Sequence, residues 1–238
     1  MQENNNSSMI DFTTAVVNKP WGYEYLLYSN DSVAAWLLNI RASESTSLHA
    51  HEHKLTGLIG LSGHARLSFL SDGHHLSSID KRMIHPGVFH RTEAISDFLM
   101  LEIETPIDKS DVVRFKDLYG REGKPYESTD SFRGRSDNEA MLKNLPGQLF
   151  RRNGAFVKAL EFVNVDMFSK WVEKSLREWW VVVFMRGGVS SAQGVGLIKP
   201  GHVVWSHQLK DFLKNGCKPV GSIELLLAWR EDHAATSI

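Results

Sequence analysis

The chain has 238 residues, and its 27 basic and 28 acidic side chains leave a net charge of −1. Without a basic excess to attract phosphate backbones, nucleic acid is not an expected partner. The single cysteine excludes an internal disulfide and a cysteine-based zinc finger. No apolar run approaches the roughly 18 residues that span a bilayer, and the N-terminus does not resemble a signal peptide. We therefore expect no membrane partner and a cytoplasmic location.

Short apolar segments, separated by turn residues, dominate the first part of the chain. They predict strands that recur every 8–12 residues or so, which is typical of an all-β sandwich or barrel. No alternation of strand and helix is present, so a doubly wound fold is not expected. The clearest predicted strands are 23–28, 33–40, 58–63, 65–70 and 95–103.

Composition divides the chain into four segments. Residues 1–18 are predicted to be a flexible N-terminus, 19–106 a β-barrel, 107–147 a polar linker, and 148–238 a second β-rich unit. Within the linker, a short helix is predicted from Asp108 to about Gly120, and a capping-box pattern at Ser136–Glu139 predicts another. In the second unit, the spacing of apolar residues over 166–176 fits either a helix or an irregular connection.

Eight of the 11 histidines lie between positions 49 and 90. His49, His51 and His53 alternate, so on a strand they would share one face of the sheet. His90 follows the Pro86-Gly87 turn and is the best candidate for a ligand from elsewhere in the chain. Neutral imidazole suits several divalent transition metals. A solvated strand face is the alternative, and for His53 a place at the barrel mouth is as good an interpretation as ligation.

The spacing of these histidines resembles the cupin superfamily. Its first motif matches His49-Ala50-His51, followed after four residues by Thr56 and after six more by Gly63; its second matches Pro86-Gly87-Val88-Phe89-His90. The resemblance implies an RmlC-like jelly roll, a double-stranded β-helix with a metal held by His49, His51 and His90. Water or His53 would complete the site, because Thr56 replaces the glutamate ligand of the family.

A closer resemblance is to the cupin barrels of type II mannose-6-phosphate isomerases. It rests on Lys19-Pro20-Trp21-Gly22-Tyr23-Glu24, on Ser47–Gly63 and on Leu101–Pro106, and covers residues 19–106. It implies an isomerase or epimerase-like enzyme that uses Zn, Fe, Ni or Mn and acts on a carbohydrate-like small molecule. The isomerases carry Gln at position 49 and Glu at position 56, so two usual ligands differ.

The second half resembles a degenerate cupin. It contains Pro200-Gly201-His202 but no His-x-His pattern, so we expect a bicupin in which only the first barrel holds a metal. Cupins commonly pair through strand edges, and we therefore also expect a homodimer.

Glu102 and Glu104 alternate with Leu101 and Ile103, which predicts that a carboxylate points into the barrel. Near a metal, such a carboxylate would serve as a general base, and both residues are candidate catalytic groups. Two alternatives stay open at this point. A three-histidine site also suits a non-haem iron dioxygenase, and the loss of the glutamate at Thr56 also fits a non-catalytic small-molecule-binding cupin.

Overall fold

A computed structural model describes residues 11–124, 126–127, 129–143 and 148–231. Within them the chain forms antiparallel strands, two α-helices and two single 3₁₀ turns, at Thr129–Ser131 and Asp137–Glu139. The helices are α1 (Val165–Lys174) and α2 (Ser206–Lys214). The strands are β1 (Ala15–Lys19), β2 (Gly22–Ser29), β3 (Ala34–Ile40), β4 (Leu48–Ala50), β5 (Leu55–Ser62), β6 (His64–Ser68), β7 (Gly73–Ser77), β8 (Lys81–Ile84), β9 (Arg91–Ala94), β10 (Phe98–Thr105), β11 (Val113–Lys116), β12 (Phe132–Gly134), β13 (Phe150–Arg152), β14 (Ala155–Phe162), β15 (Val181–Ser190), β16 (Gly196–Ile198), β17 (Val203–Trp205) and β18 (Lys218–Arg230).

The first half is a jelly roll made of two facing layers. One layer is a seven-stranded sheet in the order β12-β1-β2-β3-β10-β5-β8. The other layer combines β7-β6-β9 with β4 and β11, which join it through the isolated bridges Ser45–Glu93 and His49–His90. Large side chains such as Trp36 and Phe98 fill the space between the layers. The core of this barrel therefore lies beside the strands that carry the histidines.

A six-stranded antiparallel sheet forms the second half, in the order β13-β14-β18-β15-β16 with β17 paired to β15. Val157, Val183 and Leu226 on one face of this sheet share a continuous apolar core with Leu37 and Leu101 on the outer face of the first sheet. Each Å² of apolar surface removed from water stabilises the folded state by about 25 cal/mol. This shared core is therefore a principal stabilising contact between the two halves.

The two helices cover the other face of the second sheet. Asn164 caps α1, because its side-chain oxygen accepts hydrogen bonds from the backbone N–H groups of Asp166 and Met167 at 2.8 and 3.3 Å. Phe168 and Val172, one turn apart, are buried against the sheet. Of the two interpretations of residues 166–176, the helix is therefore the one that the structure shows. Helix α2 was not predicted from the sequence.

The predicted all-β jelly roll is confirmed. Residues 15–18, predicted to be part of a flexible N-terminus, belong to β1, which pairs with β2 and β12. Residues 1–10 lie outside the described part of the chain. The predicted helix from Asp108 to Gly120 is wrong, because Val113–Lys116 forms β11 and pairs with β4. The capping box at Ser136 and Glu139 is present, but it closes a single 3₁₀ turn. The division into two barrels stays a prediction.

Candidate metal centre

Backbone pairing brings the two histidine motifs together. His49 lies in β4, and its N–H donates to the carbonyl of His90 at 3.0 Å, while the N–H of His90 donates back at 2.8 Å. Such a reciprocal pair holds the two residues directly opposite each other in an antiparallel ladder. The side chains follow, and the ring centroids of His49 and His90 lie 4.4 Å apart.

His51 is attached to the same unit through the Pro86-Gly87 turn. The N–H of Gly87 donates to the carbonyl of His51 at 2.7 Å. Gly87 has φ +77°, a left-handed conformation that glycine adopts without steric cost. The sequence Pro86-Gly87 therefore both turns the chain toward His90 and ties this turn to the loop that carries His51.

The three imidazoles converge as predicted from the sequence. One ligand nitrogen from each of His49, His51 and His90 lies within 4.8 Å of the others, so the cluster can hold a single metal ion. His51 and His90 are buried, and His49 is partly buried. The sequence-based prediction of this trio is consistent with the fold.

Each imidazole in the trio is oriented by a backbone carbonyl. The Nδ1 atom of His49 lies 2.8 Å from the carbonyl of Ser47, that of His51 lies 2.5 Å from the carbonyl of Asp111, and that of His90 lies 3.1 Å from the carbonyl of Val88. A carbonyl only accepts, so each Nδ1 carries the proton and Nε2 keeps its lone pair. This is the arrangement that metal-binding histidines show.

Two further observations fit a metal. The Nε2 atom of His51 is buried and has no hydrogen-bond partner among the described residues, which is costly unless a ligand binds there. Burial lowers the pKa of all three histidines, that of His51 to about 3, so the rings are neutral at physiological pH. Neutral imidazole is the form that binds metal.

His53 does not join the trio. It lies in the exposed loop after His51, and its backbone N–H donates to the Asp111 carboxylate at 3.1 Å. Strand β4 ends at Ala50, so His51 and His53 both lie in the loop that follows. The hydrogen bond from Gly87 to the carbonyl of His51 holds His51 beside His90, whereas His53 is exposed. The ligand set that the structure brings together is therefore three histidines.

Glu102 and Glu104, the two predicted catalytic residues, both lie on β10, and their surroundings differ. Glu104 is fully buried, accepts a hydrogen bond from the Trp36 indole at 2.7 Å, and forms an ion pair with Lys54 at 3.1 Å. These contacts occupy both of its carboxylate oxygens. Glu104 therefore stabilises the barrel interior and is poorly placed to exchange a proton.

Glu102 is half-buried and lines the cavity that also contains His49 and His51. No hydrogen bond or ion pair to its carboxylate is present among the described residues. Burial is the main cause of the lowered pKa of His90; the hydrogen bond to the carbonyl of Val88 and attraction to the Glu102 carboxylate oppose it. Glu102 is the better of the two candidates for a proton-transferring group.

The cavity beside the histidines is small and strongly charged. Its volume is about 60 Å³. Cationic side chains on its wall are neutralised by acidic neighbours: Lys19 lies 3.1 Å from Glu127, and Lys109 lies 3.5 Å from Glu24. The cations that line it are Lys19, Lys54, Lys109, Arg114 and Arg121.

Several of these residues come from the segment that the sequence had predicted to be a linker. Lys109 lies over the ring of Trp36, with its Nζ atom 3.6 Å from the ring centroid, and Tyr126 donates a hydrogen bond to Glu24. Lys109, Arg114, Arg121 and Tyr126 all line the cavity, so this segment forms part of the cavity wall.

Thr56, which stands at the position of the family's glutamate, is buried and faces inward opposite Glu104 on β10. Its hydroxyl has no hydrogen-bond partner among the described residues. Gly63, the last residue of the motif, has φ +85°, and a Cβ there would lie 2.1 Å from the carbonyl oxygen of Asp97. The glycine is therefore required by the tight approach of two chain segments.

No family model and no curated protein matches the chain. Among solved structures, KdgF from Halomonas sp. is similar over 38% of this chain and 84% of its own, with 14% identity and a TM-score of 0.36. A cupin superfamily protein from Desulfitobacterium hafniense DCB-2 is 27% identical over 36% of this chain and 76% of its own, with a TM-score of 0.33. An RmlC-like cupin from Shewanella frigidimarina NCIMB 400 is 16% identical over 42% of this chain and 91% of its own, with a TM-score of 0.38. Each likeness extends over less than half of this chain.

Within the described ranges, neither helix is long and apolar enough to cross a membrane.

Proposed function

We propose that the chain is a metal-dependent enzyme of the cupin type that isomerises or epimerises a small carbohydrate, such as a sugar or sugar phosphate. The observation that carries this proposal is a cluster of three neutral histidines, two of which, His49 and His51, line one cavity together with Glu102. Zn, Fe, Ni or Mn would fit the three imidazoles. When bound, such an ion polarises a carbonyl or holds vicinal hydroxyls as a Lewis acid.

The residues of this chain would then divide the remaining work. Glu102 takes a proton from the carbon next to the substrate carbonyl and returns it to the neighbouring position. Lys54 and Arg114, on the cavity wall, donate hydrogen bonds to hydroxyl or phosphate oxygens. The small cavity favours a ligand of a few carbon atoms, or the reactive end of a longer one.

A screen of metal-loaded protein against aldoses, ketoses and their phosphates tests the proposal. We expect interconversion of one substrate class, detected by proton exchange and product formation in NMR spectra, that disappears in His51→Ala. Full activity in protein stripped of metal would contradict the proposal.

A non-haem iron dioxygenase is the second candidate. The observation in its favour is that the metal-binding group consists of three histidines with no carboxylate, within the described residues. Oxygen consumption by iron-loaded protein over thiols and diketones, without any sugar conversion, would establish this alternative. Ligand-induced thermal stabilisation without conversion in either screen would instead indicate a binding protein.

We also propose that the chain forms a homodimer through β11. This strand is the last in its layer, and Val113 and Phe115 on it are 53% and 65% exposed. The ring of Phe115 packs against Phe89 with 5.6 Å between ring centroids, which extends the apolar surface. An exposed apolar edge strand is suited to pairing with a second copy of itself.

A further inference from the structure

Asp111 contacts the loop of His51 in two ways. Its main-chain carbonyl accepts the hydrogen bond from Nδ1 of His51 at 2.5 Å. Its carboxylate accepts three backbone hydrogen bonds from the residues that follow His51: from Glu52 at 2.7 Å, from His53 at 3.1 Å and from Lys54 at 2.9 Å. One residue of the segment after β10 thus orients both the ring and the loop that carries it.

This dependence on a distant segment distinguishes His51 from the other two histidines. The Nδ1 atoms of His49 and His90 bind the carbonyls of Ser47 and Val88, each only two residues earlier in the chain. His51 binds a carbonyl 60 positions away. The orientation of His49 and His90 is therefore local, whereas that of His51 requires the segment after β10 to lie across the loop.

The backbone of the loop also needs the carboxylate. The N–H groups of residues 52, 53 and 54 are consecutive donors that point to one place, and the two Asp111 oxygens accept all three. A charged acceptor makes such hydrogen bonds stronger than a neutral one does. Without it, the loop would lose the three hydrogen bonds that hold 52–54 against the segment carrying the Asp111 carbonyl.

We propose that Asp111 is the positioning residue for His51, fixing its tautomer through the main chain and its location through the side chain. This inference rests on the proposed metal site. It predicts that the Asp111 side chain controls metal affinity although it does not touch the metal ligand nitrogen. Outer residues that orient metal-binding histidines typically contribute 10–100-fold to affinity.

The test compares Asp111→Ala and Asp111→Asn with Asp72→Asn, a matched control at an exposed position in the turn before β7. Affinities for Zn²⁺ and Co²⁺ are measured by competition with a chelator, and the visible spectrum of bound Co²⁺ reports ligand geometry. We expect affinity to fall roughly 10–100-fold in Asp111→Ala with a changed Co²⁺ spectrum. Asp111→Asn, which keeps one acceptor oxygen, should lie between this variant and the wild type, and Asp72→Asn should be unchanged.

Failure of this inference and failure of the proposed function are separable. Wild-type protein that binds neither ion would contradict the metal site itself. In that case the nitrogen chemical shifts of His51 in the metal-free chain still test the positioning role, because we expect an Nδ1-protonated ring in the wild type and a mixture of tautomers in both variants. Wild-type affinity and spectrum in Asp111→Ala would overturn the inference. If Asp111→Ala does not fold, the metal affinity and the Co²⁺ spectrum of Asp111→Asn test the inference instead, and wild-type values for both would overturn it.

Discussion

His49 and His90 exchange both of their backbone hydrogen bonds, at 3.0 and 2.8 Å, although they come from motifs far apart in the chain. Main-chain pairing therefore places two of the three imidazoles before any metal binds. A site that is already assembled loses little conformational entropy on binding. We accordingly expect the metal-free protein to fold, in contrast to small domains that require their metal for folding.

Glu102→Gln should separate chemistry from metal binding. Because the Glu102 carboxylate lines the cavity and makes no hydrogen bond or close ion pair among the described residues, its amide replacement should keep the fold and the metal while removing the proton acceptor. General acid–base catalysis contributes about 10²–10⁴-fold, so turnover should fall by at least about 100-fold. Steady-state kinetics and elemental analysis on the same sample measure both properties. Unchanged turnover would remove Glu102 from the mechanism.

The buried ion pair of Lys54 and Glu104 should be strongly coupled in stability. Their side chains are 2% and 0% exposed and lie 3.1 Å apart. Removing one partner takes away the nearest opposite charge of the other, and a fully uncompensated buried charge costs about 3–5 kcal/mol. Because Lys109 stays 3.8 Å from Glu104, the loss in Lys54→Met should be below this range. We expect Lys54→Met and Glu104→Gln each to lower the free energy of unfolding, and the double variant to lose much less than the sum. Strictly additive losses in urea denaturation would contradict a direct interaction.

Acid should lower the free energy of unfolding by protonating Glu24 on the cavity wall. Burial raises the pKa of this carboxyl, but attraction by Lys109 and Lys19 outweighs burial and lowers the pKa from 4.5 to about 2. A lowered folded-state pKa means that the stabilisation is fully present above pH 4.5 and is lost as the pH falls toward 2. The contribution is on the order of 3 kcal/mol.

Glu24→Gln should therefore be less stable than the wild type at pH 7, with the difference narrowing below about pH 4. Glu173→Gln, at an exposed position of α1, is the matched control and should follow the wild-type curve. Urea denaturation at a series of pH values measures the free energy of unfolding of both variants and of the wild type. If the free energies of Glu24→Gln and the wild type differ by a constant amount from pH 7 to pH 2, the charge of Glu24 does not provide the stabilisation.

Phe115→Lys should weaken self-association. A charged side chain on the exposed edge of β11 adds repulsion between two copies and removes apolar surface. Light scattering should show a dimer for the wild type and a larger monomer fraction for the variant, with Leu70→Lys, another exposed apolar position, as the control. Equal dimer fractions in all three proteins would place the contact elsewhere.

The sequence predicted that these three histidines converge because their spacing resembles that of the cupin motifs, although the pairing of His49 with His90 and the contact of His51 with Asp111 are long-range. His49 and His51 alternate, and the Pro86-Gly87 turn precedes His90, so motif spacing was enough to select these three residues. His53 fitted the same alternation, but both His51 and His53 follow the end of the strand at Ala50, and in this loop His51 is buried whereas His53 is exposed. Periodicity alone does not say where a strand stops.

The role of residues 109–127 was not predictable from local patterns. Lys109 and Tyr126 contact Glu24 on the distant strand β2, and Asp111 contacts the loop of His51. The sequence of this segment is polar and rich in turn residues, as in a solvated linker. Such long-range pairing leaves no periodic signal. Helix α2 was missed for a related reason: only Leu209 provides a fully buried apolar anchor, so its amphipathic pattern is short.

Metal content of the purified protein tests the central claim most directly. Wild-type protein and His53→Ala, whose side chain lies outside the trio, should each carry close to one equivalent of a divalent transition metal after exposure to the ion and gel filtration. His51→Ala should carry almost none while keeping its circular dichroism spectrum. A wild-type protein that retains no metal, or a His51→Ala variant that retains as much as the wild type, would contradict the account.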